Sequence, residues 1–499
     1  MRIFIAIIAV LLIFITRCNT WIYYNFGNVT PDQIIISISG PLTGVDKDLL
    51  ISFAKNTFLS IIFSICACIC ICAPSKIFSL LSKVVKYYTP ETTYRLVLFH
   101  AREITTHTQI YTISLLIACT IASIEVWKEL ERHFHITAYY KFSQEYEKCI
   151  NQPFDISKDF IYKYYRLPAF HEIAFREKKN MVLVLAESVE KNIKDISLIP
   201  NLTQLSQKNQ SVARMLETHG TNSTICAVTA WHFGLPLKLP GALAKNTYYS
   251  SRGFLPKATS VFDILSHHGY KLVLMMGCDA SYSSMDVLFK THGNFEILDK
   301  RYWIKTGWNF DEYHGIKWGY SDKFILERAA EKYIQLQNGT QPFILFIETI
   351  DTHAPHGWTP ADKRIFNDIR DAFTETDSLL NKFVTTLIKY KKKYCAFSII
   401  GDHNFMGTPE VLINAKERYI YNVFFGDIPN IPLKKRNTSI SAIDIAPSIL
   451  HAAGATWNNF DFGLGVSVFS ERPSLIEVLG PEKLNEGLRQ HSKFYYSLY

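Results

Sequence analysis

Charge is the first shortage in this 499-residue chain. Asp, Glu, Lys and Arg make up only 20% of it, against about a quarter in ordinary soluble domains. Glycine (23) and proline (19) are also modest, which excludes collagen-like and low-complexity chains. No segment repeats at a fixed period. Intrinsic disorder is excluded from the other side, by 27 Tyr and 34 Phe in a chain that is 48% hydrophobic. The length allows two or three domains and a large buried core. Net charge is +8, from 53 basic and 45 acidic residues. That excess raises nucleic-acid binding as a function, which only the location of the charge decides.

The apolar excess is concentrated. Residues 3–16 form a continuous apolar run between Arg2 and Arg17, residues 58–73 form a second, and residues 110–127 a third with no charge before Glu125. With flanking residues each approaches the ~20 residues that cross a bilayer. A cleaved signal peptide is the alternative for the first run. No small-x-small cleavage site follows it, however, and Trp21, Tyr23 and Tyr24 do, as at a membrane interface, so an uncleaved anchor is expected. The loop between the second and third runs carries Lys76, Lys83, Lys86, Arg95 and Arg102, whereas the loop before it carries only Arg17 and Lys47. Basic loops stay cytoplasmic, so the third run leads outward and everything after about residue 130 is exported. Part of the +8 is therefore a topological marker, and no nucleic-acid partner is expected.

Six of the ten cysteines (Cys18, Cys66, Cys68, Cys70, Cys72 and Cys119) lie in or beside these runs. The closely spaced four resemble a metal cluster, but a helix scatters such thiols around its axis, and small apolar filler is the better account. Cys149, Cys226, Cys278 and Cys395 are too widely spaced to indicate a pairing.

Residues 131–178, rich in Tyr, Phe, Lys and Glu, read as an amphipathic connector at the membrane surface. From Asn180 short β-branched or apolar runs appear at 181–187, 271–277, 343–349, 395–403 and 421–426, with helical stretches such as 323–336 and 372–389 between them. This alternation predicts an α/β domain over 179–499, a mostly parallel central sheet flanked by helices and preceded by the transmembrane region of residues 1–130. The Lys-rich run 389–393 reads most simply as a solvated helix end before a strand.

Chemistry in such folds collects at the carboxyl ends of the strands. One strand ends in Glu187-Ser188, another runs into Asp351-Thr352-His353-Ala354-Pro355-His356-Gly357, and the next ends in Gly401-Asp402-His403-Asn404. A lone acid at a strand end often serves only as an N-cap. Glu187, Asp402 and His403 brought to one edge are oxygen and nitrogen ligands suited to one Zn²⁺ or Mn²⁺ ion. The segment 219–227 opens an apolar stretch ending in Gly234-Leu235-Pro236. Asn222, Ser223 and Thr224 there either cap a helix or set hydroxyls beside unpaired N–H groups, where an anion or an alkoxide is stabilised.

Taken together these residues resemble a known family. Ala186-Glu187-Ser188, then Gly220-Thr221 with Thr224-Ile225 and Gly234-Leu235-Pro236-Leu237, then Asp351-Thr352-His353, then Gly401-Asp402-His403 follow the order of the sulfatase-like branch of the alkaline phosphatase superfamily. The likeness runs from about 180 to 470 and includes Trp318 to Asp322 and the stretch 443–450. Within that branch the chain looks most like membrane-anchored phosphoglycerol transferases of periplasmic glucans. It is less similar to lipoteichoic acid synthases and lipid A phosphoethanolamine transferases.

The resemblance implies Glu187, Asp402 and His403 as metal ligands and Thr224 as the metal-bound nucleophile. Thr229 is a second candidate nucleophile by its spacing to Pro236. His353 would bind the phosphoryl group and protonate the leaving group. The implied activity moves a phosphoethanolamine or phosphoglycerol headgroup from a membrane phospholipid to a sugar of a periplasmic glycan or lipopolysaccharide, through a phosphothreonine. The implied setting is the bacterial inner membrane, with the catalytic domain periplasmic. The chain departs from its relatives in 276–293, where Ser281, Ser283 and Met285 stand in place of an arginine contact and Asp279 and Asp286 are the local charges. A carboxylate there favours a cationic headgroup, which tilts the expectation toward ethanolamine. His292, His314 and Trp318 are candidate pocket residues. A hydrolase of sulfatase or phosphodiesterase type and a non-catalytic membrane scaffold are the rival readings. Against a sulfatase, the residues after Cys226 lack the Pro and Arg of its modification signature.

Overall fold

The structure, a computed structural model, describes residues 47–72, 156–238, 253–308, 319–354, 369–406 and 417–499, with Leu412 and scattered positions between 10 and 22. The chain divides into two compact units, one of residues 1–26 and 47–139 and one of 27–46 and 140–499. In the first, the second apolar run lies on the helix Lys47–Cys72. Asn56 Nδ2 donates to the Arg17 carbonyl at 3.2 Å and Trp21 Nε1 to Ser52 Oγ at 3.0 Å. Along this helix side chains are described for 51–65 only. Among the described residues no helix is long and apolar enough to cross a membrane. The third run, the basic loop, most of the first run, and residues 131–155 lie outside the described residues.

The larger unit is built on a six-stranded sheet. Its strands are β1 (Asn180–Ala186), β2 (Lys271–Met276), β3 (Glu296–Leu298), β4 (Phe343–Glu348), β5 (Cys395–Gly401) and β6 (Asn422–Gly426), in the order β3-β2-β4-β1-β5-β6. The first five are mutually parallel and β6 runs antiparallel to β5, so the sheet is mixed only at one edge. Every residue of β1, β4 and β5 is buried, as a sheet covered on both faces requires. The pleat sorts them: Met181, Leu183 and Leu185 pack with Trp231 and Ile449 on one face, and Val182 and Val184 with Phe324 and Phe383 on the other.

The helices divide accordingly. Residues of α2 (Thr224–Phe233), α3 (Val261–His267) and α6 (Ile445–Ala452) join the first face, and those of α1 (Pro200–Lys208), α4 (Asp322–Asn338) and α5 (Ile369–Lys389) join the second. Helix α2 is buried from Ile225 to Phe233 on all sides, which marks it as a core element rather than an amphipathic surface helix.

The end of the expected connector belongs to this larger unit. Asp159 caps the helix Phe160–Tyr164 by accepting from the N–H groups of Ile161 and Tyr162 at 3.1 and 3.2 Å. Its second oxygen accepts from Ser492 Oγ and Phe494 N–H, at 2.9 and 3.1 Å. One carboxylate thus ties the entry of the unit to its last helix. Ile156, Tyr162, Leu167 and Phe170 remain exposed. Among the described residues Cys18, Cys226, Cys278 and Cys395 form no disulfide; Cys149 lies outside them.

Helix α2 stops at Gly234, in the left-handed region at φ 60°. A Cβ there would lie 2.3 Å from the Phe462 carbonyl oxygen, and the Gly234 carbonyl accepts from Leu464 N–H at 2.8 Å. Gly234→Ala therefore meets both backbone strain and a backbone clash. It is expected to destabilise the protein by more than about 1 kcal/mol, read as a lower urea midpoint with an unchanged slope.

Candidate metal centre and active site

Strand β1 ends in a sharp turn, because Ser188 takes a left-handed conformation at φ 54°. The turn fixes Glu187, whose N–H donates to Thr349 Oγ1 at 3.1 Å and whose carbonyl accepts from Thr352 Oγ1. Both threonines follow β4, the strand beside β1. On the other side, Asp402 Oδ1 accepts from the N–H groups of Ser188 at 2.9 Å and His403 at 2.8 Å. One Asp402 oxygen thus holds two backbones, and the other is left over.

Glu187, Asp402 and His403 are fully buried, and one ligand atom from each lies within 4.8 Å of the other two. His403 Nδ1 pairs with the Asn404 carbonyl at 2.9 Å. A carbonyl only accepts, so Nδ1 carries a proton and Nε2 is the ring nitrogen that faces the carboxylates. Nε2 lies 3.2 Å from Asp402 Oδ2 and 3.6 Å from Glu187 Oε1. Asp402 Oδ2 and His403 Nε2 are buried and have no hydrogen-bond partner. Two orphaned donor atoms of the right type, beside a third carboxylate, fit a divalent cation. The protonation behaviour agrees: burial, reinforced by the Glu187 charge, pushes the Asp402 carboxyl up to about 6. Burial opposes the charged form of His403, yet Asp402 and Glu187 push its ring up to about 9.

Thr224 is the first residue of α2. Its Oγ1 donates to Glu187 Oε2 at 3.2 Å, while Ser188 Oγ donates to Oε1 at 2.6 Å. The approach to the helix is a tight turn in which Thr221 N–H and Oγ1 both reach the Thr218 carbonyl, at 3.0 and 2.9 Å. A hydroxyl is therefore held between the buried trio and the positive end of a helix dipole. Thr229 has no such place: it is fully buried and its Oγ1 donates back to the Ile225 carbonyl at 2.7 Å.

The loop of His353 is clamped from behind. Asp322, the first residue of α4, accepts from the N–H groups of Ile350 at 2.6 Å and Asp351 at 3.2 Å, and Asp351 Oδ2 accepts in turn from Asp322 N–H at 3.0 Å. Thr376 Oγ1 donates to the second Asp322 oxygen at 3.2 Å. Both carboxyls are wholly buried. Burial pushes Asp322 up to about 6, and burial with the Asp322 charge raises Asp351 well above the carboxylate range. His353 Nδ1 pairs with the Ala354 carbonyl at 2.7 Å, which presents Nε2 as the second ring nitrogen. The loop after His403 is held by the fork of Arg418 on the buried Glu190 carboxylate, which also accepts from Phe405 N–H at 2.9 Å.

Two expected pocket residues have partners within the protein. Asp279 is no bare carboxylate: it accepts from Ser281 N–H and Oγ and forms an ion pair with Arg301 Nε at 3.2 Å. Arg301 also pairs with Asp286 and Asp299, at 3.2 and 2.7 Å. His292, 3% exposed, is a packing residue bound to Asp263 at 2.8 Å and to the Phe254 carbonyl at 2.7 Å. Trp318 and His314 lie outside the described residues. Not anticipated is Glu348, the last residue of β4. Its Oε1 accepts from the Cys278 thiol at 3.7 Å and its Oε2 is buried without a partner. Burial, with the nearby Glu187 and Asp402 charges, pushes its carboxyl up to about 8. The strand-end rule that singled out Glu187 applies equally to Glu348.

On this α/β fold, a buried acid–acid–histidine trio beside a helix-end threonine suits a divalent cation next to a hydroxyl nucleophile. The sulfatase family model matches residues 179–455, more than half of the chain, and the chain belongs to that family. Phosphoglycerol transferase I of Salmonella arizonae is 30% identical over 356 residues, 68% of this chain and 44% of that protein. The protein of the same description from Xanthomonas campestris pv. campestris is 28% identical over 317 residues, 60% of this chain and 44% of that one. The chain thus spans less than half the length of these relatives. Among solved structures, a protein of the alkaline phosphatase superfamily from Vibrio parahaemolyticus aligns with a TM-score of 0.47 at 20% identity, over 67% of this chain and 79% of that one.

Two measurements check this geometry. Dialysis against a chelator is expected to lower the unfolding temperature and Zn²⁺ or Mn²⁺ to restore it, since an ion at a hundredfold excess over its Kd contributes about 2.7 kcal/mol; Glu187→Gln should abolish the response. For the acid pair, folded-state values raised above the unfolded 3.8 mean stability that is present at low pH and lost as pH rises, through about 6 for Asp322, with Asp351 raised in the same direction. Asp351→Asn should therefore lose less stability than the parent between pH 5 and 7.5, read as urea midpoints.

Proposed function

We propose that this protein transfers a phosphoglycerol headgroup from a membrane phospholipid to a sugar hydroxyl of a periplasmic glycan, through a phosphorylated Thr224. The observation that carries the reading is the Thr224 hydroxyl 3.2 Å from Glu187 Oε2, at the start of α2 and beside Asp402 and His403. A divalent ion, Zn²⁺ or Mn²⁺, held by Glu187, Asp402 and His403 supplies Lewis acidity that lowers the pKa of the Thr224 hydroxyl.

In the first half-reaction Thr224, entering as the alkoxide after its hydroxyl proton has been lost to solvent and leaving as the alkoxide in the second, attacks phosphorus; a threonine–phosphorus ester forms, and the bond to the diacylglycerol oxygen breaks. His353 gives the departing alkoxide its proton. In the second, the acceptor hydroxyl loses its proton to His353 and displaces Thr224. The first N–H groups of α2 face the charge that builds on the phosphoryl oxygens in both steps.

The headgroup assignment rests on the relatives, which are phosphoglycerol transferases. A formylglycine-type sulfatase is disfavoured by Cys226, which is buried inside α2 and 1% exposed. We place the catalytic unit outside the inner membrane, with residues 1–130 as its anchor, because the donor is a lipid and the basic residues gather in one loop.

Mass spectrometry of periplasmic glycans from cells with and without the protein tests this. Loss of a phosphoglycerol increment on deletion, and its loss with Thr224→Ala, is the expected outcome. Loss of a phosphoethanolamine increment reassigns the headgroup, and no change in either strain overturns transfer. With purified protein, Thr224→Ala should lower turnover at least about 10³-fold, as removal of a nucleophile does elsewhere.

A further inference from the structure

The metal trio occupies the carboxyl ends of the parallel strands. The opposite end of the same sheet, roughly 20 Å away along the seven residues of β1, carries a concavity of its own. It has a volume of about 620 Å³ and is lined by Lys178, Asn180, Lys391, Lys392, Lys393 and Tyr394, with Glu177 and Asp427 at its margin. Asn180 begins β1 and its N–H donates to the Tyr394 carbonyl at 3.0 Å, so the floor is the start of the central strand.

The lysines here are not simply a solvated helix end. Lys178 Nζ donates to the His268 carbonyl at 2.7 Å, Lys392 Nζ to Asn338 Oδ1 at 2.6 Å, and Lys393 Nζ to the Gly339 carbonyl. Those partners are neutral. Only Lys391 has a carboxylate, Asp427, at 2.7 Å. The backbone of the run is fixed as well: Lys392 and Lys393 both donate their N–H groups to Oε1 of Gln337, a side chain 2% exposed. Four ammoniums line the cavity with two carboxylates, and each of these bonds takes one of the three N–H groups of an ammonium. Like charges fixed around one concavity by neutral acceptors repel one another and attract an anion.

We infer that this cavity binds a phosphate-bearing anion, at a site separate from the metal centre. Ammoniums act as point charges that suit phosphate oxygens, and Tyr394, 58% exposed, adds a ring face beside them for the sugar or glycerol of a phosphoester. The charge chemistry is shared by two sources, a phospholipid headgroup and a phosphate-substituted soluble glycan. The site does not depend on the transfer reaction proposed above.

Hydrogen exchange of the full chain in detergent tests it, with inorganic phosphate, glycerol phosphate and a short-chain phosphatidylglycerol below its micelle concentration as probes. Slower exchange of the 389–394 amides on adding a phosphate probe is expected, and Lys392→Ala with Lys393→Ala should weaken that response at least about tenfold. Both lysines are exposed, so the variant should fold, which an unchanged unfolding temperature verifies. A response to short-chain lipid at tenfold lower concentration than to glycerol phosphate assigns the lipid source; equal responses assign the soluble one. Absence of protection at 389–394 with every probe at millimolar concentration, or protection that the double variant leaves intact, overturns the inference.

Discussion

Two carboxylates and an imidazole buried within a few ångströms of each other form the constraint on which this structure turns. Removed from water, such a group is tolerable only when every remaining lone pair has a partner or a cation. Backbone and hydroxyl donors satisfy Asp402 Oδ1 and both Glu187 oxygens. The atoms left over, Asp402 Oδ2 and His403 Nε2, converge. The left-handed Ser188, the threonines after β4 and the turn into α2 are all arranged to produce that remainder.

Around it, acids work as backbone clamps. Asp322 and Asp351 bind each other's peptide groups and so set the loop that carries His353. Glu190 and Arg418 do the same behind His403. These carboxyls take no part in the proposed chemistry, yet burial raises the protonation of the first pair much as it does for Asp402. An elevated carboxyl value in this fold therefore marks depth first and function second.

Much of this was legible from residues alone. Continuous apolar runs marked β1, β2, β4 and β5 because a sheet covered on both faces needs no polar alternation. Their carboxyl ends then pointed to Glu187, Asp402 and His403. Thr224 was singled out only by the family resemblance, because helix capping accounts equally well for small polar residues at that place. What was not legible depends on contacts distant in sequence. Nothing local to Arg301 says that it reaches Asp279 and Asp286, so Asp279 read as an open carboxylate. His292 read as a pocket residue because a histidine near a glycine carries no sign of its burial against Asp263. The lysines of 391–393 are the exposed run between helix and strand that the sequence indicated; what it could not show is that Lys178, more than 200 positions earlier in the chain, lines the same cavity.

The strand order carries a consequence for how the protein comes to exist. The first strand of the sheet lies between the fourth and fifth, and Ser188 meets Asp402 across 214 positions of sequence. Chains emerge from synthesis amino end first, so β1 waits without either neighbour until most of the unit has been made. Contacts of such separation close late. A cation site of Glu187, Asp402 and His403 would thus form only after most of the unit has been made, and a copy that ends before β5 would lack two of its three ligands however well its helices form.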